Sequence, residues 1–191
     1  MSRSQQVQSR ASIAVLTAAL MSVGCRSQPS DAAVAERARA SIAPFKAALK
    51  DALTRAMAES PESAIAVCSE KAPELAKAHS KDGVVAGRSA HKLRNAANAP
   101  RPWLQPVMAR LAKAPSGSDA HEVVKLPEGR YGYAEAIWVQ APCLACHGAS
   151  IAPGIAQKLD AKYPHDEARG FAEGDFRGVF WAEIDGAALP H

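Results

Sequence analysis

From Val34 onward, apolar residues recur every three or four positions: Val34, Ala38, Ile42, Phe45, Leu49, Leu53 and Met57. That spacing lays an apolar stripe along one face of a helix and predicts a long amphipathic helix opening the folded domain. Pro44 lies inside it; lacking an N–H and carrying a ring, it predicts a kink or a restart. The stretch "ESPESAIAVCSEKAPELAKAH" continues the helical period. Ser60 is suited to cap, Pro61 to occupy the first turn and Glu62 to favour its positive end, while Pro73 predicts a split.

Beyond residue 80 the period changes. "GVVAGRSA" (83–90) has the β-branched content of a short strand. "NAPRPWLQPVMARLAK" predicts a helix capped near Asn98, with Trp103, Val107 and Leu111 on one face. "HEVVKLPEGRYGYAEAIWVQ" reads as two strands turning at Pro127–Gly129. "PGIAQKLDAKY" is a short helix, "AEGD" a turn and "FRGVFWAEI" a last strand. Helices followed by strands with helical inserts predict an α+β domain, an antiparallel sheet flanked by helices, with a long N-terminal helix.

The first 24 residues follow another logic. Arg3 and Arg10 precede an uncharged apolar run, "ASIAVLTAALMSV" (11–23), which is short of the roughly 20 residues a membrane span needs. It ends at "SVGC". This is the pattern of an export signal of lipoprotein type, with Cys25 the lipidated residue after cleavage; simple cleavage near Cys25 is the other reading, since Ser22 stands where leucine is usual. "CRSQPSDA" (25–32) reads as a tether, and 33–191 as a single domain, placed in the periplasm and held to the membrane by the lipid.

Composition adds two things. Apolar residues are 48% of the chain but aromatics only 5%, an alanine-rich interior that a prosthetic group would usefully fill. The formal charge of +4 falls to +2 once Arg3 and Arg10 leave with the signal, 21 basic against 19 acidic residues. No basic cluster remains, so nucleic acid is not an expected partner.

Chemistry concentrates in "QAPCLACHGAS" (140–150). A thiol–disulfide exchanger would place Cys143 and Cys146 at a helix N-terminus in a parallel βαβ setting, which the surrounding pattern does not offer. A structural zinc site would want a second ligand pair, and no second CxxC or HxxxH is present. A covalent c-type haem fits each residue type: two thiols three apart add to the two vinyl groups of one porphyrin edge, and His147 supplies an axial ligand to the iron. Gly148 would let the backbone turn close to the ring. Such attachment takes place outside the bacterial cytoplasm, in agreement with the leader.

The second axial ligand is less determined. Met57 and Met108 both lie upstream, unlike the downstream methionine of common small cytochromes. Ile65, Cys68, Ala72 and Leu75 share a helical face, so Cys68 points inward. As a residue type it is equally a buried small hydrophobe and a ligand, although with Cys25, Cys143 and Cys146 employed it has no disulfide partner. His79, His91, His121 and His165 are the other candidates. Arg88, Arg94 and Asn98 stand as residues that reach haem propionates, or as capping and surface residues.

Taken together, "AIAVCSEKAPELA", "RNAANAPRPW", "CLACHG" and "YPHDEARGFAEGDFRGVFWAEI" resemble a family of exported c-type haem domains of unknown function, over about 60–184. The resemblance implies a PAS-like antiparallel sheet, covalent haem on Cys143 and Cys146, and axial ligation by His147 and Cys68. Ala96 stands where that family has a proline, which bears on the shape of the loop. The expected function is one-electron transfer or redox sensing with an unidentified redox or signalling partner. A haem-based gas sensor working through a separate protein is the alternative. An enzyme such as a peroxidase is not expected, for want of a trustworthy distal acid/base arrangement.

Overall fold

Ser30 opens the first helix: its hydroxyl oxygen accepts from the Ala33 amide at 3.2 Å, and Asp31 sits in the positive first turn. The computed structural model describes residues 28–190; the leader, Cys25 and the first tether residues lie outside them. Helix α1, Asp31–Glu59, runs unbroken for 29 residues through Pro44, where a kink or restart is expected from sequence. Pro44 and Ala40, the residue whose carbonyl it deprives of a donor, both face solvent. That oxygen is open to solvent, so its lost donor need not break the helix.

Ser60 caps as expected, accepting from the Ser63 amide at 3.1 Å. Next come α2 (Ser63–Ala66), a π-helical segment (Val67–Lys71) and α3 (Ala72–Ala78). The predicted split at Pro73 is absent. Pro73 lies in the first turn of α3, and the widened π turn before it absorbs the irregularity without ending the helix.

Four antiparallel strands follow: β1 (Val84–Ser89), β2 (His121–Lys125), β3 (Arg130–Trp138) and β4 (Phe176–Asp185), in the order β1-β4-β3-β2. The β2–β3 turn falls at Pro127–Gly129, where Glu128 and Gly129 take φ of 60° and 69°. The α1 stripe (Val34, Ala38, Ile42) packs on one sheet face against Val84, Ala86, Tyr133 and Ile184. Helix α4 (Leu104–Leu111) covers the other, against Ala134, Val179 and Trp181. The architecture is α+β, a four-stranded antiparallel sheet packed with helices and led by α1. Asn98 does not cap α4: it closes a 3₁₀ turn (Ala96–Asn98), and Trp103 holds the position before Leu104. Pro100 keeps Ala99 before it extended, and a turn at Pro102–Trp103, closed by the Leu104 amide on the Arg101 carbonyl at 2.9 Å, leads into α4.

Among the described residues no helix is long and apolar enough to cross a membrane.

Candidate functional site

Strand β3 ends at Trp138, and Val139, 2% exposed, anchors the chain in a small core with Ala168 and Phe171. Pro142 cannot extend the ladder, so the backbone turns through 3₁₀ residues Ala141–Cys143 into a single helical turn, α5 (Leu144–His147). The two thiols of the motif therefore diverge. Cys143, whose sulfur accepts from the Gln140 amide at 3.5 Å, packs with Leu144 on the Val139 core. Cys146 packs against Ile65, Ile155 and Leu159, joining α2 to α6 (Pro153–Lys162). Cys68, Cys143 and Cys146 are all half-buried free thiols. Gly148 has a local reason of its own: a Cβ there would lie 2.7 Å from the Leu144 carbonyl oxygen.

His147 is held firmly. Its Nδ1 lies 2.7 Å from the Ala168 carbonyl oxygen. A carbonyl only accepts, so Nδ1 carries the proton and Nε2 keeps its lone pair for a ligand. Burial first, then the charges of Arg94 and Arg177, push the imidazole down to about 3, so it is neutral at physiological pH. The carbonyl is itself fixed. Arg94 donates to Ala168 O at 3.2 Å and to Cys146 O at 2.6 Å, while its Nε donates to Asp166 at 3.1 Å. One guanidinium thus ties the motif turn to the loop that orients the histidine. Arg94 and Asp166 side chains are 8% and 2% exposed.

Cys68 lies in the π segment, and Val67 beside it packs toward Phe45 and Leu49 of α1. Ile65, one turn earlier, meets Cys146, and the Cys68 sulfur is close enough to contribute to the electrostatics of Cys146, Arg88, Arg177 and Tyr163. Burial pushes the Cys146 thiol up. Tyr163 hydrogen-bonds Ser69, and burial raises its phenol. Cys68 thus lies in electrostatic range of Cys146, the residue before His147, with Arg94 at the motif's backbone. The backbone carbonyl of Asn98 accepts from the Ala90 amide at 3.4 Å.

Three other histidines pack on aromatic rings, His79 on Phe45, His121 on Tyr133, and His91 on Phe176 and Phe171, while His165 is exposed. Met108 is buried in the α4 core. Two residues escaped the sequence reading, Asp166 and Arg177. Both lie inside "YPHDEARGFAEGDFRGVFWAEI", but nothing in a strand or loop pattern distinguishes a buried charge from a surface one.

The setting departs from that of a redox-active dithiol, since the motif follows an antiparallel strand and its helix is four residues long. Among the described residues no group of three or more His, Cys, Asp or Glu converges as a closed zinc site requires.

Fold and site together define a class: an α+β domain bearing a Cys-x-x-Cys-His turn late in the chain, with a third thiol on a neighbouring helix. A family model described as Tll0287-like: Tll0287 matches residues 5–184, and the chain belongs to that family. Among solved structures it is similar to the crystal structure of the cyanobacterial heme-protein Tll0287, at 25% identity and a TM-score of 0.57, covering 82% of this chain and 97% of that one. No curated protein matches.

Proposed function

We propose that this chain is an exported c-type haem protein, attached through Cys143 and Cys146 and ligated by His147 and Cys68, that transfers single electrons or senses redox state. The observation that carries it is the fixed, neutral His147 directly after two free half-buried thiols, with a third thiol nearby. The similar cyanobacterial structure is that of a haem protein, and the donor set suits iron: an imidazole with one nitrogen tied to a carbonyl, and a sulfur donor. When bound, the haem supplies a one-electron couple. The chain's own residues hold the imidazole in one tautomer, fix the motif turn through Arg94 and bring Cys68 toward the same cluster. An anionic sulfur ligand favours ferric iron, so a low reduction potential is expected relative to methionine ligation.

The leader supports export, with Cys25 as the lipid anchor and a separate redox or signalling protein as partner. A pyridine haemochrome spectrum and mass spectrometry of the exported protein test the covalent linkage; unmodified or disulfide-bridged Cys143 and Cys146 would reject it. The ferric spectrum of Cys68→Ala tests the second ligand. Loss of the wild-type low-spin signature is expected, and an unchanged one rejects Cys68. The π segment around Cys68 favours one second reading, a gas sensor in which this ligand leaves on reduction. Binding of CO by the reduced protein separates the two.

A further inference from the structure

Resting on the haem reading, we propose that Arg88 of β1 and Arg177 of β4 form the carboxylate-receiving side of the site and together take the two haem propionates. The β1–β4 pairing brings them near one another. Arg88 alternates with Val84 and Ala86, which belong to the α1-side core, and lies opposite Phe180 in the β1–β4 register. Arg177 is the extra residue at the β3–β4 register shift, between Gly178 and Phe176, and its side chain comes within electrostatic range of Arg94, Arg88 and Cys68.

Both side chains are part-buried, and neither has a carboxylate within salt-bridge distance among the described residues. Their neighbours differ in this respect: Arg94 pairs with Asp166, and Arg169 with Asp160 and Asp166. What Arg177 does have is weak compensation, a 3.3 Å bond to the Lys92 carbonyl and the face of Phe171 at 5.3 Å. That ring stands edge-to-face with His147 at 6.3 Å. Burial lowers both guanidinium groups, Arg177 to about 10; the charges of Arg94 and Arg88 press Arg177 further down, and the Cys68 sulfur acts on both arginines in the opposite sense.

Two desolvated cations without anions are costly unless a ligand brings the missing charge. The charge count matches. Ferric iron, the porphyrin dianion and one thiolate sum to zero, leaving two propionates for two arginines. Guanidinium suits this role because its planar fork meets a carboxylate with two hydrogen bonds.

The test uses the exported, haem-loaded full chain with Arg88→Gln, Arg177→Gln and the double variant, beside Arg88→Lys and Arg177→Lys. Resonance Raman propionate modes and the reduction potential are recorded for each. The proposal expects shifted propionate modes and a lower potential in each Gln variant, larger in the double, with the Lys variants near wild type in potential. Haem loading lost in Gln variants but kept in Lys variants also supports it. Gln variants with wild-type modes and potential overturn it, as does loss of loading in Gln and Lys variants alike, since charge is then not what the site needs. A wild-type chain without covalent haem would sink the haem reading itself, and is told apart by its blank haemochrome.

Discussion

Arg94 donates to three separate oxygens, one on the motif turn at Cys146 and two on the loop that orients His147, at Asp166 and Ala168. Replacing it with methionine leaves Asp166 buried beside Arg169 alone and releases the Ala168 carbonyl that orients His147. Removing one member of a buried pair typically costs about 3–5 kcal/mol. Arg94→Met is therefore expected to lower the urea midpoint strongly, and Arg94→Lys to recover only part, because lysine cannot reach three acceptors with a fork. Asp166 carries the matching pH signature. Burial alone would raise its carboxyl, but hydrogen bonds from Arg94, Arg169 and the Ala168 amide outweigh it, and the net direction is downward. A carboxyl that titrates lower folded than unfolded adds stability that is complete above its unfolded value, about 3.9, and is lost as pH falls through the folded one. Urea titrations from pH 7 down to pH 3 should show that loss starting below about pH 5, with a shallower acid limb in Asp166→Asn.

At the scale of elements, the regular pieces were legible because their periods are unambiguous. The Val34–Met57 stripe is α1, "FRGVFWAEI" is β4, and Pro127–Gly129 is the turn between β2 and β3. What stayed hidden was decided by solvent and by packing. Pro44 is tolerated since the carbonyl it orphans points outward, and the π turn at Val67–Lys71 differs from an α turn by less than a five-residue pattern can register. Two variants check this account. Pro44→Ala restores a helix hydrogen bond and should raise stability, by at most about 3 kcal/mol, with the haem spectrum unchanged. Gly178 has φ of 149°, and a Cβ there would collide with the Ser89 carbonyl oxygen. Gly178→Ala should thus push β1 from β4 and cost more than about 1 kcal/mol, seen as a lower thermal midpoint and faster amide exchange across that pair.

For the whole molecule, the Cys-x-x-Cys-His motif could be read from residue types and spacing, and its helical face and the family resemblance single out Cys68, whereas the buried charges around them required the fold. Arg177 comes beside Arg88 because β4 inserts between β1 and β3, and Asp166 meets Arg94 where two loops converge on the motif turn. The first helix opens at the Ser30 cap, and its apolar stripe starts at Val34. Replacing residues 1–27 with a cleavable export signal is expected to leave the haem spectrum and thermal midpoint unchanged.

The run of α1 also sets a distance. Its first turn follows Cys25 by only five residues, a reach of at most about 17 Å. The α2–α3 segment doubles back so that Val67 meets Phe45 and Leu49, which lie about 21–27 Å along α1 from its start at Asp31. With a lipid at Cys25, the tether and that stretch of α1 together would limit the span from lipid to the Cys68 segment to roughly 45 Å.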